Sequence, residues 1–226
     1  MNPISDTDSP TGPEPLTLEQ TRQIIDSQRA RVDAALVVDE SRLYTAWGSA
    51  WLVGFLGLWA TSGTDALPAS ARPAAFAVFF LLLAAALVFT AVHIARATRG
   101  LEGVSATTGR MYGWSWFVSF AALPVLIGST ERVGAPVATI DLLWTTLPAL
   151  LVGVHYMMAG AMWQDRTGFV LGGWIVLSAC LAALAGPPAA YLVMSLAGGG
   201  GFLVAAGWSV TRRRTQQRGS GCVPAP

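Results

Sequence analysis

Leu142 to Trp163 reads LLWTTLPALLVGVHYMMAGAMW, and this stretch decides the fold class of the chain. It is long and apolar enough for a helix that crosses a bilayer, which needs about 20 mainly apolar residues. It carries His155, the ionisable side chain that we expect to lie deepest in hydrocarbon. Pro148 lies upstream of it, where a missing backbone N–H allows a helix to bend. We therefore expect any functional centre to be packed around this segment.

The composition of the whole chain also indicates a membrane protein. Of the 226 residues, 53% are hydrophobic and 12% are charged, with a net charge of +1. A soluble domain carries about 25% charged residues, so the deficit places this chain among membrane proteins. All of the basic residues are arginine, and alanine, glycine and proline are abundant. This usage is typical of a GC-rich bacterial genome.

The chain before the first apolar run has two segments. Residues 1–16 are rich in proline and acids, and we expect a disordered tail there. Thr17 and Gln20 have the spacing of a capping box, which predicts the start of an amphipathic cytoplasmic helix over residues 17–40. This helix either binds a protein partner or rests, solvated, beside its own bundle. The second interpretation is favoured because the apolar stripe is shorter than the roughly three heptads of a coiled coil. The stripe consists of Leu18, Ile25, Val32 and Leu36.

Six apolar runs follow, and each is close to the roughly 20 residues that a membrane-spanning helix needs. The runs cover residues 43–62, 74–95, 111–128, 142–163, 168–185 and 189–210. Only Gly186-Pro187-Pro188 separates the last two, which predicts a tight helical hairpin. We therefore predict an all-α integral membrane bundle of six transmembrane helices over residues 43–210. A basic cytoplasmic tail follows over residues 211–226.

The arginine residues predict the orientation of this bundle. With the N-terminus in the cytoplasm, only Arg72 and Arg132 fall in outer loops, and all the other arginines fall in inner segments. Positive residues concentrate on the cytoplasmic side of membrane proteins. We therefore expect a multi-pass protein of the bacterial inner (cytoplasmic) membrane with both termini in the cytoplasm.

The odd-numbered runs resemble one another. Arg42 and Tyr44 open the first run as Arg110 and Tyr112 open the third, and a tryptophan follows in each odd run. These tryptophans are Trp51, Trp116 and Trp174. One interpretation is a set of three parallel helical-hairpin repeats, as in some transporter folds. The other is that arginine, tyrosine and tryptophan simply mark the inner interface of any span.

His155 is the first candidate for a functional residue, because an ionisable side chain inside a membrane is a functional hypothesis by default. It can contact a substrate or respond to protons, with Tyr156, Thr145 and Thr146 as polar neighbours. A neutral imidazole can also make a purely structural hydrogen bond to a neighbouring helix. Both interpretations stay open at this point.

Two further features accompany the predicted spans. The sixth span is interrupted by Gly198, Gly199, Gly200 and Gly201. Glycine there either allows close helix packing, which the small residues around the run favour, or lets the backbone unwind around a ligand near His155. Asp165 and Arg166 lie in the turn between the fourth and fifth spans, where we expect a local ion pair to hold the turn.

The sequence lacks the residues that several other functions need. No Asp or Glu lies in the middle of a predicted span, which argues against a carboxylate proton relay. The two histidines, His93 and His155, lie far apart without an acidic partner, so we expect no metal site. There is no phosphate-binding Gly-rich loop and no protease or lipase motif. We therefore expect neither an enzyme nor a bound cofactor, and the basic tail is too short to bind nucleic acid.

Three stretches carry a resemblance to known proteins: MYGWSW at Met111–Trp116, WQDR at Trp163–Arg166, and YLVM at Tyr191–Met194 with the glycine run and Phe202 behind it. They resemble a family of small bacterial six-span proteins that are often labelled as hypothetical membrane proteins or transporters. The resemblance covers about residues 17–214 and implies a six-span fold. It implies no substrate and no functional residues.

Two functions are compatible with these observations. The first is a secondary transporter or permease for a neutral or weakly charged small molecule, since no acid or arginine in the spans is available to pair a strong charge. It requires a polar cavity that reaches His155 and the glycine run. The second is a non-transporting scaffold or regulatory protein that binds a cytoplasmic protein partner through its N-terminal helix. In both cases the lipid bilayer is a partner, and the thin bundle favours a homo-oligomer.

Overall fold

The structure is a computed structural model, and it describes residues 17–24, 27, 40–63, 66–97 and 104–220. The regular secondary structure of these residues is entirely helical, and no strand occurs among them. This confirms the predicted all-α fold class for the described part of the chain. The chain divides into two compact units, Met1–Val38 and Asp39–Pro226.

In the first unit, residues 18–24 form a helix that begins as the sequence predicts. The Thr17 amide donates to Oε1 of Gln20 at 2.9 Å, and the Gln20 amide donates to Oγ1 of Thr17 at 3.3 Å. These reciprocal bonds make the capping box. The predicted tail and most of the remaining helix, including Ile25, Val32 and Leu36, lie outside the described residues. A helix over the whole of residues 17–40 therefore stays a prediction.

The described part of the second unit contains six helices. They are α1 (Glu40–Ala60), α2 (Arg72–Ala97, after a 3-10 turn at Ala69–Ala71), α3 (Val104–Arg132), α4 (Val137–Trp163), α5 (Arg166–Ala185) and α6. Helix α6 has three consecutive parts: Ala189–Val193, a π-helical turn at Met194–Gly199, and Gly200–Ser220. Helix α6 thus continues into the segment predicted as a tail.

Five of these helices, α2 to α6, are long and apolar enough to cross a membrane. Their apolar segments are Ala69–Arg96, Thr107–Arg132, Val137–Trp163, Arg166–Ala185 and Ala189–Arg212. Such lengths and compositions fit a protein that is embedded in a membrane. Helix α1 has 21 residues, but its tryptophans and glycines lower its mean hydropathy. A sixth span therefore stays a prediction.

Each helix packs mainly against its neighbours in the order α2, α1, α6, α5, α4, α3. The contacts of α1 with α6 and of α4 with α5 are the most extensive. Helices α2 and α3 end the series, and only 6% and 11% of the residues in their apolar segments are buried, against 50% in α6. The pairs α1–α2, α3–α4 and α5–α6 each pack together. That pairing fits three hairpins, while a repeat symmetry between them stays a prediction.

Two glycines explain why α4 and α5 approach so closely. A Cβ atom added at Gly153 would lie 2.8 Å from the carbonyl oxygen of Gly172, and one added at Gly172 would lie 2.6 Å from that of Gly153. Neither position has room for a side chain, so the two backbones touch. Small residues commonly bring helices together in membranes in this way.

The core of the bundle is aromatic and surrounds α1. Trp51 of α1 is buried, and its ring centroid lies 5.8 Å from that of Phe55 and 5.3 Å from that of Phe202 in α6. Both pairs meet edge to face, which is a favoured arrangement of aromatic rings. The tryptophans that make α1 less hydropathic are therefore used for packing at the centre of the bundle.

Candidate functional site

His155 lies on α4 and is 4% exposed. Its Nδ1 atom lies 2.8 Å from the carbonyl oxygen of Leu151, one turn earlier in the same helix. Because a carbonyl oxygen only accepts, Nδ1 carries the hydrogen of this bond. In the neutral ring the lone pair is then on Nε2, which becomes a hydrogen-bond acceptor.

Helix α3 covers His155 with two aromatic residues. The ring centroid of Trp116 lies 4.5 Å from that of the imidazole, and that of Tyr112 lies 6.1 Å away. The Tyr112 hydroxyl also donates to the backbone carbonyl of His155 at 2.8 Å. The two neighbours of the histidine on α3 are therefore a tilted indole ring and a hydrogen-bonding phenol.

The second ring nitrogen, Nε2, makes no hydrogen bond to any residue that the structure describes. Every fully buried side-chain nitrogen or oxygen among the described residues has a partner, so Nε2 must retain a small accessible surface. Hydrocarbon offers no hydrogen-bonding partner to such an atom. Nε2 is therefore the place where a ligand can complete the hydrogen bonding of His155.

Tyr156 follows His155 and connects α4 to three other helices. Its ring centroid lies 6.2 Å from Tyr44 in α1, 6.4 Å from Trp116 in α3 and 5.6 Å from Phe202 in α6. Its hydroxyl has no hydrogen-bond partner within the described part of the chain. Because Trp116 contacts both residues, the structure brings His155 and Tyr156 together. We call Tyr112, Trp116, His155 and Tyr156 the His155 cluster.

The two predicted threonines lie elsewhere. Thr145 donates its hydroxyl to the carbonyl of Asp141, and Thr146 donates its hydroxyl to that of Leu142, both at 2.8 Å. Ten residues separate Thr145 from His155, which corresponds to roughly 15 Å along a helix. Both hydroxyls are satisfied within α4, so the structure does not bring them to the His155 cluster.

The glycine run stays helical and packs against α1 and α5. A Cβ atom at Gly199 would lie 2.7 Å from the backbone nitrogen of Leu52, and one at Gly198 would lie 3.1 Å from the ring of Trp51. Gly201 faces Trp174 of α5, whereas a Cβ at Gly200 would meet nothing within 4 Å. This geometry is the close helix packing that the small residues around the glycine run predicted.

The π-helical turn at Met194–Gly199 contains the first two glycines of the run and also Ala197. The Nε1 atom of Trp174 donates to the carbonyl of Ala197 at 2.8 Å, so a neighbouring helix satisfies this acceptor. The alternative interpretation of the glycine run was an unwound backbone with free carbonyl groups near His155. In the structure the rings of Tyr156 and Phe202 contact each other on the α4 side of α6. Gly198 and Gly199 face α1, and Gly201 faces α5.

Asp165 holds the turn between α4 and α5, but through backbone groups. Its Oδ1 atom accepts from the Thr167 amide at 3.0 Å, and Oδ2 accepts from the Gly168 amide at 2.8 Å. This is a helix N-cap. Arg166 is the first residue of α5. The carboxylate is thus bound to backbone amides, where the sequence suggested an ion pair with Arg166.

The sequence reasoning missed an ion pair at the other end of α4. The Nη2 atom of Arg72, the first residue of α2, lies 3.0 Å from Oδ2 of Asp141. The guanidinium also lies 5.7 Å from the ring centroid of Phe76, and Tyr191 of α6 is close to both charges. The sequence does show two opposite charges in predicted outer segments. It does not show that they pair, because the pairing depends on how α2 packs against α4.

The sequence reasoning also missed a continuous series of ring contacts through the bundle. Consecutive ring centroids in this series are 6.5 Å apart or less. The rings are those of Trp163, Tyr112, Trp116, Tyr156, Phe202, Trp51, Phe55, Phe79, Phe80 and Phe76. Aromatic rings therefore fill much of the space between α4, α6 and α1. A ligand of the site would have to pack against these rings or displace them.

Comparisons with protein-family models, curated proteins and solved structures found no match. The resemblance to small six-span proteins therefore stays a prediction, and the geometry of the chain carries the functional argument.

Two other features bear on what the site can hold. A groove of about 510 Å³ lies between α1 and α6, and its lining contains neither His155 nor any residue of the glycine run. This groove is therefore not the cavity that a transport site at those residues requires.

Among the described residues, no group of three His, Cys, Asp or Glu side chains is placed to hold a metal ion.

Proposed function

We propose that this chain is a membrane transporter for a neutral or weakly charged small molecule, and that the molecule binds at the His155 cluster. One observation carries the proposal. His155 is 4% exposed within an apolar helix, yet its Nε2 atom has no partner among the described residues. An ionisable group left open inside a membrane is expected to serve a substrate or a proton.

Three buried hydroxyl groups in the apolar helices do not share this property. The hydroxyl groups of Thr145, Ser178 and Ser195 each donate to a backbone carbonyl at 2.8 Å. A polar side chain with a purely structural role is expected to be satisfied in this way. The contrast supports a functional interpretation of His155, because its Nδ1 atom alone would meet the structural need.

The surroundings of Nε2 indicate the class of substrate. Tyr112, Trp116 and Tyr156 present ring faces and edges, which favour flat, weakly polar molecules. A neutral imidazole whose Nδ1–H is engaged accepts a hydrogen bond at Nε2. We therefore expect a substrate that contains a ring and one hydrogen-bond donor.

Helix α3 is the element that we expect to move when the site opens. Its main packing partner is α4, and few residues of its apolar segment are buried. Tyr112 and Trp116 hold it against His155. A displacement of α3 would expose Nε2 without breaking the glycine contact between α4 and α5.

The proposal includes α1 as a sixth span in a bacterial inner membrane. Its 21 residues correspond to roughly 31 Å of helix, close to the thickness of the hydrocarbon core. It packs between α2 and α6, which are both apolar enough to cross. An even number of spans puts both termini on one side, and the arginines favour the cytoplasm for that side. No catalytic step or cofactor is part of the proposal.

A second candidate is a scaffold that binds a protein partner through the N-terminal helix. Leu18 is 81% exposed and Ile24 is 42% exposed, which leaves two apolar side chains of this helix available to a partner. Deletion of residues 1–38 distinguishes the candidates. A scaffold would lose its partner in a pull-down from membranes, whereas a transporter would keep ligand binding in its helical bundle.

The transporter proposal is tested with the purified full chain. Wild type and His155→Asn are melted in detergent against a panel of ring-containing neutral and weakly basic molecules. We expect at least one compound to raise the melting temperature of the wild type alone, and to be taken up by liposomes that contain the wild type. A panel that stabilises neither protein, or both equally, would overturn the assignment of the site to His155.

A further inference from the structure

The groove between α1 and α6 lies at the end of the bundle where α1 begins. Arg42 and Thr45 line its α1 side near that end, and Ser49 lies further in. Seven residues separate Arg42 from Ser49, which corresponds to roughly 10 Å along the helix. The groove therefore extends from the start of α1 into its apolar part.

The opposite wall of the groove is apolar. It is formed by residues of α6, including Leu203, Gly207 and Val210. A Cβ atom at Gly48 of α1 would lie 2.9 Å from Cδ2 of Leu203, so Leu203 lies at the deep end of the groove. Val210 is nearer to the charged end of α6. One ligand in this groove would meet a polar wall on α1 and a hydrocarbon wall on α6.

The small side chains of α6 leave room for that ligand. A Cβ atom added at Gly207 would meet nothing within 4 Å. The open side of the groove is thus a channel along the surface of two helices, and a flexible hydrocarbon chain can lie in it.

Arginines outnumber acidic residues in the chain segments that flank the mouth of the groove, although Glu40 is the first residue of α1. Arg42 lines the mouth and is exposed, and Arg212, which follows the lining residue Val210 by two positions in α6, is also exposed. The sequence adds Arg213, Arg214 and Arg218 in the following residues. Clusters of basic residues at the end of a membrane helix attract anionic lipids. The charge thus favours an anionic ligand over a zwitterionic one.

We propose that this groove binds one anionic phospholipid. Arg42 holds the phosphate, the hydroxyl-bearing side of α1 with Thr45 and Ser49 contacts the ester region, and an acyl chain lies along Gly207 towards Leu203. The inference depends on the chain being embedded in a membrane and is independent of transport at His155. The site and the His155 cluster share no residue.

The proposal is tested by native mass spectrometry of the full chain in detergent with added phosphatidylglycerol or phosphatidylcholine. We expect the wild type to retain phosphatidylglycerol in preference. Gly207→Leu fills the channel and should abolish retention. Arg42→Gln removes one charge and should weaken retention about fivefold, the effect of one basic residue near an anionic surface.

Two matched controls isolate the groove. Gly113 is also exposed, and a Cβ there would meet nothing within 4 Å, so Gly113→Leu adds the same side chain to α3 instead. Arg96 is an exposed arginine near the end of α2, so Arg96→Gln removes a charge outside the groove. Both controls should retain phosphatidylglycerol like the wild type.

Three outcomes would overturn the proposal. The first is equal retention of the two lipids by the wild type. The second is retention by Gly207→Leu that matches that of Gly113→Leu. The third is a wild type that forms a dimer and shows no lipid preference, together with a Gly207→Leu variant that is a monomer in the same spectra. That result would assign the groove to a second copy of the chain.

Discussion

The Tyr112 hydroxyl donates a 2.8 Å hydrogen bond to the backbone carbonyl of His155. One turn further along α3, Trp116 places its ring centroid 4.5 Å from that of the same imidazole. Helix α3 is thus attached to α4 through two aromatic residues that meet a single histidine. The contact that attaches α3, one of the two helices at the ends of the packing series, is also the candidate site, so a change at one should affect the other.

Tyr112→Phe should loosen this attachment. The variant keeps the ring and removes the hydrogen bond, which is worth about 0.6 kcal/mol between membrane helices. We expect a slightly lower melting temperature and faster backbone hydrogen exchange in α3. Trp114→Phe is the control, because Trp114 lies on the same helix and is mostly exposed. Exchange that is equally fast in both variants would argue against a specific bond to His155.

Substitutions of His155 should separate the roles of its two nitrogens. An asparagine amide can replace Nδ1 and donate to the Leu151 carbonyl, but it has no atom at the position of Nε2. We expect His155→Asn to keep the bond to the Leu151 carbonyl and to lose stabilisation by ligands. It should melt below the wild type, because the ring contact with Trp116 is lost. His155→Leu should lose both the bond and the stabilisation by ligands. If His155→Asn kept full ligand stabilisation, Nε2 would have no part in binding.

Adjacent glycines on α5 should respond in opposite ways to alanine. A Cβ atom at Gly172 would lie 2.6 Å from the Gly153 carbonyl oxygen, whereas one at Gly173 would meet nothing within 4 Å. We expect Gly172→Ala to destabilise the bundle by about 1–3 kcal/mol through overpacking. Gly173→Ala should be neutral or stabilising by up to about 1 kcal/mol, because alanine favours a helix. Unfolding in denaturing detergent measures both, and equal stability of the two variants would contradict the close α4–α5 contact.

The pair of Arg72 and Asp141 should contribute little to stability. The two side chains are 36% and 30% exposed, and ion pairs of this kind contribute about 0.2–1 kcal/mol. A double-mutant cycle with Arg72→Gln and Asp141→Asn should give a coupling energy in that range. High salt should reduce the coupling, since it screens accessible charges. A coupling that is zero in low salt would show that the two charges do not interact in solution.

Part of the fold was predictable because it depends on local properties of the chain. The length and apolar composition of Leu142–Trp163 predicted a spanning helix, and the structure has an apolar helix at Val137–Trp163. The spacing of Thr17 and Gln20 predicted a capping box, whose two bonds are present. A cap and a helix are each made by residues within a few positions of one another, so the sequence specifies them directly.

The candidate site was predictable only in its central residue. The rarity of a histidine in an apolar run singled out His155, and Tyr156 was its immediate neighbour. Thr145 and Thr146 were grouped with it, but they lie along α4 and bond to its own backbone. Residues that are close in the sequence of a helix do not all lie on one face or at one height. Sequence proximity therefore does not show which side chains contact the same ligand.

The sequence by itself determined that the chain is helical, apolar enough for a membrane and marked by one deeply placed histidine. Only the tertiary structure decided that Tyr112 and Trp116 meet this histidine and that Arg72 meets Asp141. The physical reason is that a membrane helix is apolar on every side, since lipid tails and protein interior are equally apolar. Hydrophobic periodicity therefore does not reveal which face is inside, and contacts between distant helices appear only when the helices are packed.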